Sequence, residues 1–166
     1  CLLSRGLGDV YKRQYLYSLD LFYQHPKIAA ITVVCHQTII DEVYETIKQN
    51  YDLTKITLVE GGKTRLESVQ KALNNMVSDV VLIHDAARPL ITKVDIDNLI
   101  EQSDFFSCGS LYHPIYDTVK QTTSKVKTLD RNELKAVSTP QFFTQPLYET
   151  ILKASDNCKN ITDELQ

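Results

Sequence analysis

Cysteine is sparse and unpaired in this chain: Cys1, Cys35, Cys108 and Cys158 stand far apart, with no Cys-x-x-Cys. That spacing argues against a zinc site and against a dense disulfide framework, and it fits a reducing, cytoplasmic setting. Histidine is equally scattered, at His25, His36, His84 and His113. Without His-x-x-x-His or a supporting carboxylate at helical spacing, each reads as packing or surface rather than as a metal ligand. Gly-x-Ser-x-Gly is missing, and Cys35 and Cys158 carry no local activating signature, so covalent catalysis by serine or cysteine has no candidate. No apolar run approaches the roughly 18 residues that a membrane span needs, and no signal-peptide pattern is visible. Excess positive charge is lacking too. At a net charge of -3 the chain has no electrostatic footprint for nucleic acid or an acidic membrane surface, so any phosphate binding must be local.

What is present can bury one core: 166 residues, 43% of them hydrophobic, favour a single domain. Residues 1–14 are set apart from it. They match no periodicity that continues into the chain and resemble translated adapter read-through, so the expectation is a non-native tract followed by an incomplete domain over 15–166. Setting the tract aside keeps Gly6-Leu7-Gly8, with Arg5, Lys12 and Arg13, from being taken for a glycine-rich phosphate loop. At the other end, residues 160–166 bring no closing element, which reads as a truncation.

Along the chain, Leu16, Leu19, Phe22 and Tyr23 fall at helical spacing and Pro26 closes the segment. Ile31 to Cys35 reads as a buried strand, and Ile39, Ile40, Val43, Tyr44 and Ile47 as the apolar face of a helix. Ile56 to Val59, a Gly61-Gly62 loop and a stripe of Leu66, Val69, Ala72 and Leu73 repeat the rhythm. Val80 to Ile83 follows as a strand buried on both faces. Thr92 with Asp95 makes a capping box for a helix through Ile96, Leu99 and Ile100, and Ser107 to Leu111 is a further strand. Strands separated by helical stretches predict an α/β, Rossmann-like, mostly parallel sheet with helices on both faces. The segment at about 114–140 departs from this rhythm. Residues 117–123 and 125–129 alternate β-branched and polar types, predicting a solvent-facing β-hairpin that lies on the body or clasps a second subunit. Beyond Thr139-Pro140-Gln141 and Phe142-Phe143, a last helix carries Leu147, Ile151 and Leu152.

Chemistry concentrates where Val80-Val81-Leu82-Ile83 gives way to His84-Asp85-Ala86-Ala87-Arg88-Pro89. Ligands of open α/β sheets sit beyond the carboxyl ends of the strands, so Asp85 and Arg88 lie where an ionic ligand would bind. An Asp capping a turn with an Arg paired to it explains the same residues. Gly61-Gly62-Lys63-Thr64-Arg65 precedes a helix start, which suits a nucleotide base or phosphate, although a plain turn fits as well. Arg65, Arg88, Lys120 and Arg131, with Thr118, Thr139, Thr162 and the metal-capable Asp85, form a set suited to phosphoryl or nucleotidyl transfer. That chemistry proceeds by positioning and charge neutralisation.

These residues converge on a family. Gly61-Gly62-x-x-Arg65-x-x-Ser68-Val69, His84 to Pro89, Asp117-Thr118-Val119-Lys120, Asp130-Arg131-Asn132-x-Leu134, Ser138-Thr139-Pro140-Gln141-x-Phe143 and Ile161-Thr162-Asp163-Glu164 stand in order, and the chain from 15 to 166 resembles 2-C-methyl-D-erythritol 4-phosphate cytidylyltransferases. The resemblance implies a cytoplasmic homodimer of the non-mevalonate isoprenoid pathway that joins methylerythritol phosphate to CTP with Mg²⁺ and releases pyrophosphate, dimerising through the hairpin arm. It implies nucleotide contacts at Gly61, Gly62, Arg65, Ser68, Asp85 and Ala86, with Gly62 and Ser68 at the cytosine and Ala86 near the ribose. Asp85 and Arg88 would face the sugar phosphate and the metal-bound triphosphate, Asp85 as the metal ligand. Thr118, Arg131, Thr139 and Thr162 would bind the polyol phosphate across the dimer, with Arg131 positioning the attacking phosphate. The family's N-terminal glycine-rich loop and Pro-Lys-Gln lysine would precede Tyr15, and a further lysine would follow Glu164. The chain as written is therefore expected to bind CTP weakly and turn over slowly. A ribitol 5-phosphate cytidylyltransferase shares most of these motifs, with Ala87 leaning toward the methylerythritol enzyme. A catalytically silent nucleotide-binding or dimerisation module is the alternative from another class.

Overall fold

The computed structural model describes residues 12–123 and 125–153. Helix α1 (Gln14–Gln24) leads into β1 (Ile31–Cys35), a 3-10 turn and α2 (Ile40–Asn50). Then come β2 (Ile56–Glu60), α3 (Arg65–Leu73), β3 (Val80–Ile83), α4 (Lys93–Gln102) and β4 (Cys108–Pro114). The excursion carries β5 (Lys120–Thr122), β6 (Val126–Thr128) and a 3-10 turn at Arg131–Glu133, before β7 (Lys135–Thr144) and α5 (Gln145–Lys153). Alternating strands and helices of the expected α/β fold are present. β1 and β2 pair in parallel, from Ile31 opposite Ile56 to Cys35 opposite Glu60. The capping box of α4 forms as read: Thr92 Oγ1 accepts from the Asp95 amide, and Asp95 accepts from the Thr92 amide.

The element that helical rhythm did not foresee is β7. It runs between β3 and β4 and pairs antiparallel with both, so those two strands point the same way with a reversed strand between them. Proline cannot donate to a ladder, so a strand through Pro140 needs a place where no such bond is asked of it. The structure provides one. Pairing with β3 begins only at Gln141, and the ladder with β4 shifts register between Ser110 and Tyr112, opposite residues 138–140. Pro140, joined to Thr139 by a cis peptide, thus sits at a bulge where no ladder bond is demanded of it. Bulges also bend a strand and re-aim its side chains. Ser138 and Thr139 lie at this one.

Immediately after the bulge β7 enters the core, with Phe142 and Phe143 almost fully buried. Phe143 packs with Leu73, Val81 and Tyr148, while Tyr15, Leu19, Cys35, Val43, Ile47 and Ile56 form a second cluster around β1 and β2. In β3 only Val81 is fully buried, its three companions being part-buried. His25 is sealed in at the end of α1, its Nδ1 accepting from the Lys27 amide and its Nε2 3.1 Å from Asp97. The hairpin of β5 and β6 is antiparallel as expected, and all six of its strand residues are exposed.

Candidate functional site

The carboxyl end of β3 opens into a cleft of about 210 Å³ lined by Arg65, Asp85, Arg88, Val137, Ser138, Thr139 and Gln141. Three chain segments meet there because the start of α3, the turn after β3 and the bulge of β7 converge. Asp85 lies between two guanidiniums: Arg65 Nη2 approaches one carboxylate oxygen at 3.4 Å and Arg88 Nε the other at 3.6 Å. Arg88 Nη1 also donates to Ser138 Oγ at 2.8 Å, and its backbone amide closes the turn onto the Asp85 carbonyl. Two cations around one anion leave the cleft net positive, in a chain whose overall charge is negative. At these half-exposed positions the pairs add little stability. Their chemical value is guanidinium groups placed to receive phosphate oxygens.

Behind the cleft runs a buried chain of hydrogen bonds. Thr139 Oγ1 accepts from the Asp85 amide at 3.1 Å and lies 3.1 Å from His84 Nδ1; the opposite ring nitrogen is 3.2 Å from Ser18 Oγ. Phe22 packs on the imidazole at 5.4 Å. Burial pushes the His84 pKa down to about 4, against the pull of the Asp85 charge, so the ring is neutral near neutral pH. Reading His84 only as packing or surface therefore missed a polar contact to the cleft. Ser138 and Gln141 were also passed over as site residues, although both stand in the same quoted motif as Thr139.

The glycine loop is folded onto its own helix. Thr64 caps α3 by accepting from the Glu67 amide, and Glu67 in turn accepts from the Lys63 amide. Ser68 Oγ accepts from the Gly62 amide at 2.9 Å and donates to the Thr64 carbonyl at 2.9 Å. A Cβ at position 62 would sit 2.5 Å from Glu67 Cβ, which is why glycine is needed there. Gly61, Gly62 and Ser68 are thus together, and Arg65 links their loop to the cleft. Ala86 packs against the cluster around β1 and β2, and Gln14 Nε2 donates to the neighbouring Ala87 carbonyl at 3.1 Å.

Thr118 and Arg131 lie on the exposed excursion and do not line this cleft; Arg131 Nη1 donates to the Tyr116 carbonyl. Thr162, with Ile161, Asp163 and Glu164, lies outside the described residues. Among the described residues no group of three or more His, Cys, Asp or Glu is placed to hold a metal ion, and Asp85 is the one carboxylate among the residues lining the cleft.

The family model for IspD, 2-C-methyl-D-erythritol 4-phosphate cytidylyltransferase, matches residues 13–166. This chain belongs to that family. Among curated 2-C-methyl-D-erythritol 4-phosphate cytidylyltransferases, the protein of Actinobacillus pleuropneumoniae serotype 7 is 38% identical over 89% of this chain and 66% of its own length. That of Clostridium kluyveri is 34% identical over 89% and 67%. The crystal structure of the Francisella tularensis IspD superposes with a TM-score of 0.75 at 31% identity, covering 98% of this chain and 74% of the other. The 4-diphosphocytidyl-2C-methyl-D-erythritol synthase of Anaerococcus prevotii shares the fold at a TM-score of 0.81 and 24% identity, over 93% and 70%. The chain spans about two thirds of the length of the curated relatives it matches. The family match takes in Arg13 and Gln14, the last two residues of the tract set apart above.

Proposed function

We propose that this chain carries the transfer site of a 2-C-methyl-D-erythritol 4-phosphate cytidylyltransferase, acting in the cytoplasm in isoprenoid precursor synthesis. The observation that carries the reading is the convergence of Arg65, Asp85, Arg88 and Thr139 in one cleft beyond β3. In the reaction a phosphate oxygen of the polyol phosphate attacks the α-phosphorus of CTP, the bond to the β-phosphate breaks, and pyrophosphate leaves. Arg65 and Arg88 neutralise charge on the nucleotide phosphates, Gly61, Gly62 and Ser68 receive the base, and Ala86 lies beside the ribose. Thr139, with Thr118 and Thr162, orients the polyol phosphate.

Mg²⁺ prefers one or two carboxylates plus substrate phosphates to an all-protein cage, and Asp85, the one carboxylate lining the cleft, fits that demand. When bound, the ion would neutralise triphosphate charge and hold the leaving group in line. Arg131 is the residue assigned to the attacking phosphate. It reaches a cleft as part of a homodimer, offered by the arm of the partner. Tyr116 and Val126, 78% and 69% exposed on that arm, support this reading, because an isolated two-stranded hairpin is marginal in water.

The test is pyrophosphate release from CTP with 2-C-methyl-D-erythritol 4-phosphate, run beside ribitol 5-phosphate. Release faster with the first polyol than with ribitol 5-phosphate, at the slow rate expected of this chain, supports the assignment, and equal or faster release with ribitol 5-phosphate, or none with either, refutes it. Sedimentation of the chain beside a Tyr116→Asp, Val126→Asp variant tests the arm: a dimer that becomes monomeric is expected, and an unchanged mass overturns that part.

A further inference from the structure

We propose that His84 is a positioning residue that fixes Thr139 as a hydrogen-bond donor facing the cleft. The inference builds on the reading of this cleft as a site for phosphorylated substrates, and it adds a residue with no direct substrate contact.

A threonine hydroxyl has one hydrogen to give and two lone pairs to offer. One lone pair of Thr139 Oγ1 is taken by the Asp85 amide at 3.1 Å. What remains depends on the imidazole 3.1 Å away. If His84 carries its proton on Nδ1, the ring donates to Thr139, both lone pairs are filled, and the hydroxyl hydrogen is left to point into the cleft. If the proton sits on Nε2, Thr139 spends its hydrogen on the ring and turns a lone pair toward the ligand. Lone pair against phosphate oxygen is repulsive, whereas a donor there joins those of Arg65 and Arg88. The contact on the far side of the ring agrees with the first arrangement. Ser18 Oγ, buried on α1 and 3.2 Å from Nε2, donates to that nitrogen when the proton is on Nδ1. Which nitrogen of an imidazole carries the proton is set by the bond its other nitrogen makes. Ser18 admits that tautomer because its hydroxyl can donate to a bare Nε2, and His84 then transmits it to Thr139, which presents it. Phe22, its ring tilted against the imidazole with centroids 5.4 Å apart, and the bulge of β7 hold the parts in place.

Two measurements test this. Long-range proton–nitrogen correlation on the chain carrying nitrogen-labelled histidine reads the tautomer without any assay. A proton on Nδ1 of His84, with Nε2 bare, is expected; a proton on Nε2 alone overturns the inference. The second is pyrophosphate release by variants. In His84→Asn the side-chain amide nitrogen takes the place of Nδ1 and can still donate to Thr139, whereas His84→Leu fills the volume without a donor. His84→Leu is expected to raise KM for 2-C-methyl-D-erythritol 4-phosphate roughly tenfold, with KM for CTP within about twofold of the parent. His84→Asn should recover to within about threefold. In a Thr139→Val background His84→Leu should add nothing further, because the hydroxyl it orients is gone. Equal impairment of the two His84 variants, or additive losses with Thr139→Val, would overturn the assignment. If no polyol phosphate supports release by the parent chain, the proposed activity fails and the tautomer alone decides the role of His84.

Discussion

Acid should weaken this fold through His84 in particular. The ring is buried beside Phe22 with its pKa pushed down to about 4, from the 6.5 of an unperturbed imidazole. Between those two values the unfolded chain takes up a proton that the folded one refuses, so stability falls as pH drops through the window and is retained above it. Each unit of separation is worth about 1.4 kcal/mol, so lowering the pH from about 7 to about 5 costs about 2 kcal/mol from this one group. Against total stabilities of about 5–15 kcal/mol that loss is large enough to measure. Urea denaturation should show it as a midpoint lower by about 1 M, taking a slope of about 2 kcal/mol per M for a domain of this size. Other groups titrate over the same range, so the deciding quantity is the difference from His84→Asn, which cannot take up that proton. The parent curve should fall more steeply with acid than that of the variant, by about the stated amount. Parallel curves would refute the reasoning.

Arg88→Ala should leave thermal stability within about 1 kcal/mol, because its pairing with Asp85 is half-exposed. The same variant should weaken CTP binding roughly tenfold in calorimetry, since a charge-assisted contact to phosphate is lost. Gly62→Ala places a Cβ 2.5 Å from Glu67 Cβ, so the first turn of α3 must move. A loss of about 1–3 kcal/mol in denaturant stability is expected, and an unchanged midpoint would show that the loop yields freely. Phe143→Ala empties a fully buried position against Val81 and Tyr148 and should cost about 3–5 kcal/mol by thermal or denaturant unfolding.

The first four strands and the helices α1 to α4 were legible because each carries a local signal: a short apolar run, or apolar residues at helical spacing with a cap such as Thr92 and Asp95. Asp85 and Arg88 were legible for the same reason, since charge beginning where a buried run stops marks the end of a strand. β7 was hidden because its proline is excused only by a register shift in a partner strand some thirty residues earlier, at Ser110 and Tyr112. His84 was hidden for a related reason. Its partners, Ser18 and Thr139, are 66 and 55 residues away in the chain, and no spacing rule reaches that far. Arg131 and Thr118 were legible through the family motifs, while the single chain leaves them outside the cleft.

One strand, β7, supplies both Ser138, Thr139 and Gln141 to the cleft and Phe142 and Phe143 to the interior. Since strand side chains alternate sides, inserting or deleting a single residue there would flip polar and aromatic groups together. Heritable length variation should accordingly be purged between 136 and 144 and accumulate between β5 and β6, whose strand residues are all exposed. Within this short stretch the chain cannot gain or lose a residue without disturbing durability and ligand contacts at once, because both are written in the same reading of the pleat.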